Sequence, residues 1–209
     1  MRVSNQESDT RYAAIEKNSR ARDVFKLFVT AGKKLYNIKQ DYPTDADVKV
    51  IQHDILTLDA DDIHDEIGIV VTSPPYPNAY EYWLYHKYRM WWLGYDPIVV
   101  REHEIGARPH FQKKNGQTEV DFKKQMTNVF DLIGSKLVPG GLICIVVGRS
   151  IISGRTIDNS ALLQAIAKEQ GLALAANISR DIYASRKSFN LKYGRIKKEN
   201  ILIFQKDFS

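Results

Sequence analysis

A polar residue, two prolines and an aromatic ring follow one another in Thr72-Ser73-Pro74-Pro75-Tyr76, directly after the apolar run "IGIVV". Two consecutive prolines exclude a continuing helix or a central strand. The valines before them are typical of the end of a buried strand. Ligands of open α/β sheets bind at the carboxyl ends of strands. The segment is therefore predicted to stand at the mouth of a ligand-binding crevice.

These residue types suit the activation of an amine on an aromatic base. Such an amine is a poor nucleophile, because its lone pair is delocalised into the ring. The Ser73 hydroxyl and the Pro74 carbonyl can each accept a hydrogen bond from the amine. The prolines hold both acceptors rigidly, so little reorganisation is needed during the reaction. Tyr76 offers a face on which a base extruded from a duplex can stack. The alternative is that the segment is only a rigid turn.

The segment resembles the catalytic motif of the S-adenosylmethionine-dependent amino methyltransferases that act on DNA. The resemblance covers roughly residues 45 to 206, including "VPGGLICIVVG" at about the distance of the next strand. The Ser-Pro-Pro-Tyr version is typical of enzymes that methylate cytosine N4, and the Asp-Pro-Pro-Tyr version is commoner among adenine-N6 enzymes. The resemblance implies catalytic roles for Ser73, Pro74, Pro75 and Tyr76, with S-adenosylmethionine as cofactor and double-stranded DNA with a flipped target base as substrate.

The resemblance also implies contacts to the cofactor. In this family an acidic residue at the end of the third strand binds the adenine amino group. Asp54 in "VIQHDIL" matches that place, Ile55 is expected to pack on the ring, and Thr72 is expected to border the cofactor. A turn or cap aspartate is the alternative for Asp54, since the acidic segment "DADDIHDE" follows closely. Direct methyl transfer needs no metal, and we expect none.

Aromatic and basic side chains surround the motif in the sequence. Those expected to contact nucleic acid are Tyr80, Tyr82, Arg108, Arg186, Lys187, Lys197 and Lys198. The last four lie in the loop "SRKSFNLKYGRIKK", which has six basic residues and no acidic one. Phosphate contact is the functional interpretation, and a solvated charged loop is the alternative. For Trp91 and Trp92 the sequence favours packing.

Strands alternate with helices along the chain, which predicts an α/β fold. The predicted strands are "VKVIQHDI", "IGIVV", "LICIVVG", "LALAANISRDIY" and "NILIFQ". Helices are predicted from Tyr12 to Ile38, over 80–95, in "TEVDFKKQMTNVFDLIGSKL" and in "NSALLQAIAKEQG", and residues 96–118 are predicted to be irregular. We expect an incomplete Rossmann-like methyltransferase sheet with helices on both faces and a C-terminal antiparallel hairpin. Residues 1–44 would form a helical segment and residues 45–209 the catalytic region.

A glycine-rich cofactor loop is missing from this pattern. The segments "VTAGKKLY", "LVPGGL" and "VVGRSIISGR" contain glycine, but none has the spacing of such a loop between a strand and a helix. We therefore expect a second chain that carries this loop and completes the sheet, or otherwise a homo-oligomer. Adenine-N6 methylation remains open, as does a non-catalytic DNA-binding or regulatory subunit.

The composition fits a globular domain. The chain has 209 residues, 44% of them hydrophobic, a formal net charge of +5 and a single cysteine, Cys144. The charge permits a nucleic-acid partner without requiring one. Cys144 lies in the apolar run "GLICIVV" and is expected to be a buried hydrophobe rather than a nucleophile. With no signal segment and no run of membrane-spanning length, we expect a soluble, cytoplasmic protein with no membrane partner.

Overall fold

The computed structural model describes residues 23–39, 46–78, 81–182 and 198–208. The chain divides into two compact units, residues 1–51 and residues 52–209. The first unit contains helix α1 (Val24–Lys39), which Asp23 caps by accepting a hydrogen bond from the Lys26 amide at 2.9 Å. The side chains of residues 25–38 are exposed throughout. This helix confirms the predicted one over that range, and residues 12–22 lie outside the described part of the chain.

The second unit is built from helices around a mixed sheet. In chain order its elements are β1 (Ile67–Thr72), α2 (Tyr82–Trp92), α3 (Pro97–His103), α4 (Arg108–Gln112), α5 (Glu119–Lys136), β2 (Leu137–Gly148), β3 (Ser150–Ile152), β4 (Arg155–Ile157), α6 (Asn159–Glu169), β5 (Leu172–Asp181) and β6 (Lys198–Lys206). The main sheet has the order β1-β2-β6-β5. β1 runs parallel to β2, whereas β6 is antiparallel to both β2 and β5. The α/β class, with a sheet that carries helices, and the C-terminal antiparallel hairpin are thus confirmed.

One face of the main sheet carries the hydrophobic core. Helix α5 begins at a capping box, in which Thr118 and Asp121 each bond the other's backbone. Its buried side chains at helical spacing pack with α6 against the sheet, and the cluster includes Phe122, Met126, Phe130, Leu163, Ile166, Ile143, Ile145, Val147, Leu202 and Phe204. The Phe130 and Phe204 rings meet edge to face, with 6.0 Å between their centroids. This packing fixes β2 and β6, which in turn position β1 and the hairpin.

Strand β1 lies at the edge of the sheet. In the described chain it pairs only with β2, and its opposite edge has no strand beside it. Ile69 and Val71 are 58% and 74% exposed. We call the exposed face of β1 that carries Ile69 and Val71, together with the adjoining unpaired edge, the open side of β1. An apolar, unpaired edge is a template for pairing with another strand.

The predicted strand "VKVIQHDI" does not form. Residues 46–54 adopt no strand conformation, and the side chains of Val48 and Val50 are exposed. A strand forms only when a neighbour takes up its backbone hydrogen bonds. No described strand pairs with this segment. It therefore does not form a strand, although its residues have high β-propensity.

Two further differences concern short elements. Residues 96–118 were predicted to be irregular, but they contain α3 and α4, each with a proline in its first turn. The glycine segment "VVGRSIISGR" forms the end of β2 and the ribbon β3–β4, whose turn uses Ser153 (φ 49°) and Gly154 (φ 77°). Two successive residues with positive φ are typical of a tight hairpin turn. That segment is therefore a hairpin and not a cofactor loop.

Candidate active site

The Ser73–Tyr76 segment leaves the sheet at the carboxyl end of β1. Thr72, the last residue of the strand, stands opposite Ile145 of β2. Ser73 is exposed, Pro74 is buried, and Pro75 and Tyr76 are half-buried. The polar side chain therefore faces solvent while the proline behind it is anchored in the protein. This arrangement leaves the Ser73 hydroxyl accessible to a ligand.

The Tyr76 hydroxyl is held by groups from two other strands. It donates a hydrogen bond to Glu199 Oε1 at 3.2 Å, with the Val146 carbonyl oxygen at 3.5 Å. Burial, together with the Glu199 carboxylate, raises the pKa of Tyr76 to about 12, although the neighbouring Ser73 side chain opposes this shift. Tyr76 is thus a neutral phenol in a fixed position.

Glu199 connects Tyr76 to the C-terminal hairpin. Its Oε2 accepts hydrogen bonds from Arg180 Nε at 3.1 Å and from the terminal nitrogen of the same guanidinium at 2.7 Å. Arg180 and Glu199 are directly opposite each other in the β5–β6 ladder. The carboxylate therefore uses one oxygen for the hairpin and the other for the motif.

The residues after Tyr76 are supported by the connection between α3 and α4. The Asn78 amide donates to the Gly106 carbonyl at 2.9 Å, and Asn78 Nδ2 donates to the Ile151 carbonyl at 2.6 Å. Gly106 has a φ of +76°, and a Cβ there would lie 3.2 Å from the Tyr76 carbonyl oxygen. Only glycine combines this backbone conformation with such a close approach. The connection is thus shaped to fit the motif.

Glu104 fixes the start of the aromatic helix α2. Its Oε1 accepts from the Tyr82 amide and its Oε2 from the Trp83 amide, both at 2.8 Å. These are two of the free N–H groups at a helix N-terminus, where a carboxylate is stabilising. Burial raises the pKa of Glu104, although both amide bonds oppose the shift. Tyr82, predicted to contact nucleic acid, is exposed at this end of the helix.

Asp54 lies in a tight turn and already has partners. Its Oδ1 accepts from the Leu56 amide at 2.9 Å, and its Oδ2 lies 3.1 Å from His103 Nδ1. Ile55 beside it is partly exposed. These residues fit one edge of an adenine ring, with a carboxylate acceptor and an apolar surface. Among the described residues, no glycine-rich turn joins a parallel strand to a helix.

The structure describes only some of the residues that were predicted to contact nucleic acid. Arg108 lies 3.9 Å from the Glu81 carboxylate, and Lys198, an exposed residue, lies 3.9 Å from the Asp181 carboxylate. Tyr80, Arg186, Lys187 and Lys197 lie outside the described residues. Lys198 opens β6 next to Glu199, so the basic loop is joined to the strand that holds Tyr76.

The supporting residues Glu104, Gly106, Arg180 and Glu199 were missed by the sequence interpretation. Residues 96–118, which include "REHEIGA", were predicted to be irregular, and no local pattern marks the contacts of this segment to residues 76–83. Glu199 is 123 positions from Tyr76. The one signal that could have suggested it is an acidic residue directly after a wholly basic loop.

Clustered metal ligands and membrane-spanning helices are both missing from the described part of the chain. Its residues contain no group of three or more His, Cys, Asp or Glu side chains that could hold a metal ion. Among those same residues, no helix combines the length and apolarity needed to span a membrane.

Comparison with known proteins gives a distant structural likeness. No protein-family model matches the chain, and no curated protein matches it. TTHA0409 of Thermus thermophilus, a provisionally assigned DNA modification methylase, is similar in its crystal structure with 21% identity and a TM-score of 0.42, over 71% of this chain and 52% of that one. Its complex with S-adenosyl-L-methionine gives 20% identity, a TM-score of 0.40, and coverage of 71% and 51%. The chain thus spans about half the length of that protein, and these values do not assign it to a family.

Proposed function

We propose that this chain is the catalytic part of an S-adenosylmethionine-dependent DNA methyltransferase that acts on an exocyclic amine, most specifically cytosine N4. The observation that carries the proposal is the exposure and anchoring of the Ser73–Tyr76 segment at the carboxyl end of β1. Ser73 is exposed, Pro74 is buried behind it, and the phenol of Tyr76 is anchored by hydrogen bonds. The site therefore combines an accessible hydroxyl with a fixed aromatic ring.

The residues of the motif have separate roles in this proposal. The Ser73 hydroxyl and the Pro74 carbonyl accept hydrogen bonds from the two amine hydrogens, which draws the nitrogen toward tetrahedral geometry and frees its lone pair. Pro75 restricts the backbone, and Tyr76 stacks against the extruded base. S-adenosylmethionine, when bound, supplies an electrophilic methyl group on its sulfonium. No covalent bond to the protein is needed, in keeping with the position of Cys144 inside β2.

We propose further that a second chain completes the cofactor site and the sheet. The open side of β1 supports this, because an apolar strand with an unpaired edge can accept another parallel strand. Asp54 and Ile55 would then bind the adenine from one side, with Thr72 near the cofactor. A glycine-rich loop from the partner would complete the site. DNA phosphates would meet the basic loop and Arg108, with Tyr80 and Tyr82 bordering the base.

The proposal is tested by methylation of DNA with isotope-labelled S-adenosylmethionine, using the chain purified together with any chain that co-purifies with it. Digestion and mass spectrometry should identify N4-methylcytosine. Ser73→Ala should lower transfer by about 10²-fold, the order seen when one preorganised hydrogen-bonding group is removed from an active site. DNA affinity should stay unchanged, because the lost bond matters most in the transition state.

Ser135→Ala is the matched control, since Ser135 is a serine of α5 whose hydroxyl bonds its own helix, at the Leu132 carbonyl. Its transfer rate should equal that of the unchanged protein. Full activity in Ser73→Ala would overturn the mechanism. N6-methyladenine as the sole product would move the assignment to adenine, and absence of any labelled base would reject the methyltransferase function.

A further inference from the structure

A single hydrogen bond joins the end of helix α3 to the turn that contains Asp54. His103 is the last residue of α3, and its Nδ1 lies 3.1 Å from Asp54 Oδ2, across 49 positions of sequence. The Asp54 side chain is 26% exposed and the imidazole 65%. An aspartate that serves only a turn bonds backbone groups of its own segment. The contact to His103 is therefore additional to what the turn requires.

The turn holds the Asp54 carboxylate in one orientation. The Asp54 carbonyl accepts hydrogen bonds from the amides of Thr57 and Leu58, at 3.0 and 2.9 Å. Its Oδ1 accepts from the Leu56 amide at 2.9 Å, and the Leu56 side chain packs against the hydrophobic core. With Oδ1 engaged by the turn, Oδ2 is the oxygen that points to His103.

The backbone that carries His103 is also anchored. The next residue, Glu104, bonds the amides of Tyr82 and Trp83 through its two carboxylate oxygens. Ile105 follows and is part of the hydrophobic core, at 8% exposure. The imidazole is thus exposed at its tip but fixed at its base, so it can hold a partner in place at little further cost in conformational entropy.

The chemistry of the pair fixes what a third group can do at Asp54. A carboxylate only accepts hydrogen bonds, so the hydrogen of this bond is on His103 Nδ1. A carboxylate offers about four lone-pair sites, of which the Leu56 amide and His103 each take one. The remaining sites can receive only a donor. The amino group of adenine is a donor, whereas the oxo group of hypoxanthine at the same ring position is an acceptor.

We infer that His103 is a positioning residue that holds the Asp54 carboxylate as the acceptor for the amino group of the cofactor's adenine. The inference rests on the proposed function, in which Asp54 contacts that ring, and it adds a residue that acts through Asp54. It also gives the connection between α3 and α4 two tasks. Gly106 supports the Ser73–Tyr76 segment on the substrate side, and His103, three residues earlier, supports the cofactor side.

The test compares two ligands that differ at the purine. Isothermal titration measures the binding of S-adenosyl-L-homocysteine and of S-inosyl-L-homocysteine to the full chain, purified together with any chain that co-purifies with it. Neither ligand has a transferable methyl group, so the readout is independent of activity. The unchanged protein should bind the adenine ligand at least about tenfold more tightly, which is the equivalent of one hydrogen bond.

His103→Leu removes the donor and should lower the affinity for S-adenosyl-L-homocysteine by roughly three- to tenfold, because Oδ2 is no longer held toward the amino group. The affinity for the inosine ligand should change less than about twofold, since that ligand does not use the acceptor. His103→Asn places an NH₂ group near the position of Nδ1 and should restore the adenine preference. His64→Leu, at another exposed histidine, is the matched control and should leave both affinities unchanged.

Asp54→Asn should move the preference from adenine toward hypoxanthine. The Leu56 amide would keep the amide oxygen of the new side chain as its acceptor, so the NH₂ group would take the place of Oδ2. One of its hydrogens can be accepted by a neutral His103 imidazole in its other tautomer. The second hydrogen would then face the purine, where it suits an oxo group and opposes an amino group.

The ratio of the two affinities separates positioning from a merely structural role. A loss of stability lowers the folded fraction and weakens both ligands equally, so an equal loss in His103→Leu would overturn the inference. Equal binding of both ligands by the unchanged protein would overturn it as well, and so would binding of neither. The methylation assay described above decides the proposed function separately: labelled product alongside any of these results would leave the methyltransferase assignment standing, and its absence would reject both.

Discussion

The two sides of strand β1 are equally apolar in sequence and differ in the structure. Ile67 and Val70 pack against the core, whereas Ile69 and Val71 on the open side are 58% and 74% exposed. A continuous apolar run is typical of a parallel strand buried on both faces. The comparison indicates that the exposed face of β1 is as suited to burial as the face that packs against the core. The Ser73–Tyr76 segment that follows β1 is nonetheless held in place, because Tyr76 is bonded to Glu199 and Asn78 to Gly106.

The largest difference in folding stability should appear between the core cluster that covers one side of β1, which includes Leu202 of β6, and the open side of β1. Leu202→Ala removes a side chain that is fully buried, at 0% exposure, and should lower the free energy of unfolding by about 2–5 kcal/mol. Val71→Ala should change it by less than about 0.5 kcal/mol. Urea unfolding of the chain measures both. Equal costs would mean that the open side is covered within the chain itself.

An intermediate effect is expected where the connection between α3 and α4 supports the motif. Gly106→Ala and Gly154→Ala both place a side chain at a φ near +76°, which should destabilise each protein by about 1–2 kcal/mol. Only at Gly106 does the new Cβ meet backbone atoms of Tyr76 and Pro77. Gly106→Ala should therefore cost roughly 1 kcal/mol more, since overpacking against fixed atoms is unfavourable.

Thermal unfolding of the two glycine variants measures this difference. Similar losses of stability in both variants would mean that the connection between α3 and α4 does not constrain the Ser73–Tyr76 segment. The segment would then be held only by its contacts to the sheet.

The smallest effect on folding, with a clear effect on assembly, is expected from a charge on the open side. Val71→Lys should leave the free energy of unfolding nearly unchanged, because the side chain is already exposed. It should reduce self-association of the isolated chain, since a lysine on an edge strand opposes pairing. Val120→Lys, also at 74% exposure, is the matched control on α5. Sedimentation velocity compares the two. Equal association of both variants would show that the open side does not pair.

Local signals accounted for most of the fold. The Thr118 capping residue and the spacing of Phe122, Met126 and Phe130 predicted α5, and its bounds agree with the structure to within one residue. The strand proposed in "VKVIQHDI" was wrong, because a strand depends on a neighbour that local sequence does not reveal. The ribbon β3–β4 was missed because each of its strands has only three residues, too few to show an alternating pattern.

The candidate site was predictable to the extent that it is local. The position of Ser73–Tyr76 at a strand end followed from the prolines and the preceding valines. Glu104 and Glu199 were not predictable, because they contact the motif region across 21 and 123 positions of sequence, respectively. The roles assigned to the motif remain predictions for the experiments above.

The pairing of β1 with β2 has a consequence for the order in which the sheet assembles. Thr72 meets Ile145 across 73 positions of chain, whereas Asp181 meets Lys198 across 17. Closing the longer loop from the unfolded chain costs about 1.3 kcal/mol more in entropy, if closure scales with the logarithm of length. The hairpin is therefore the more accessible nucleus, and β1 is the strand whose docking costs the most entropy. Tyr76 is brought to Glu199 by a strand whose pairing closes the longest loop among the described strands of the sheet.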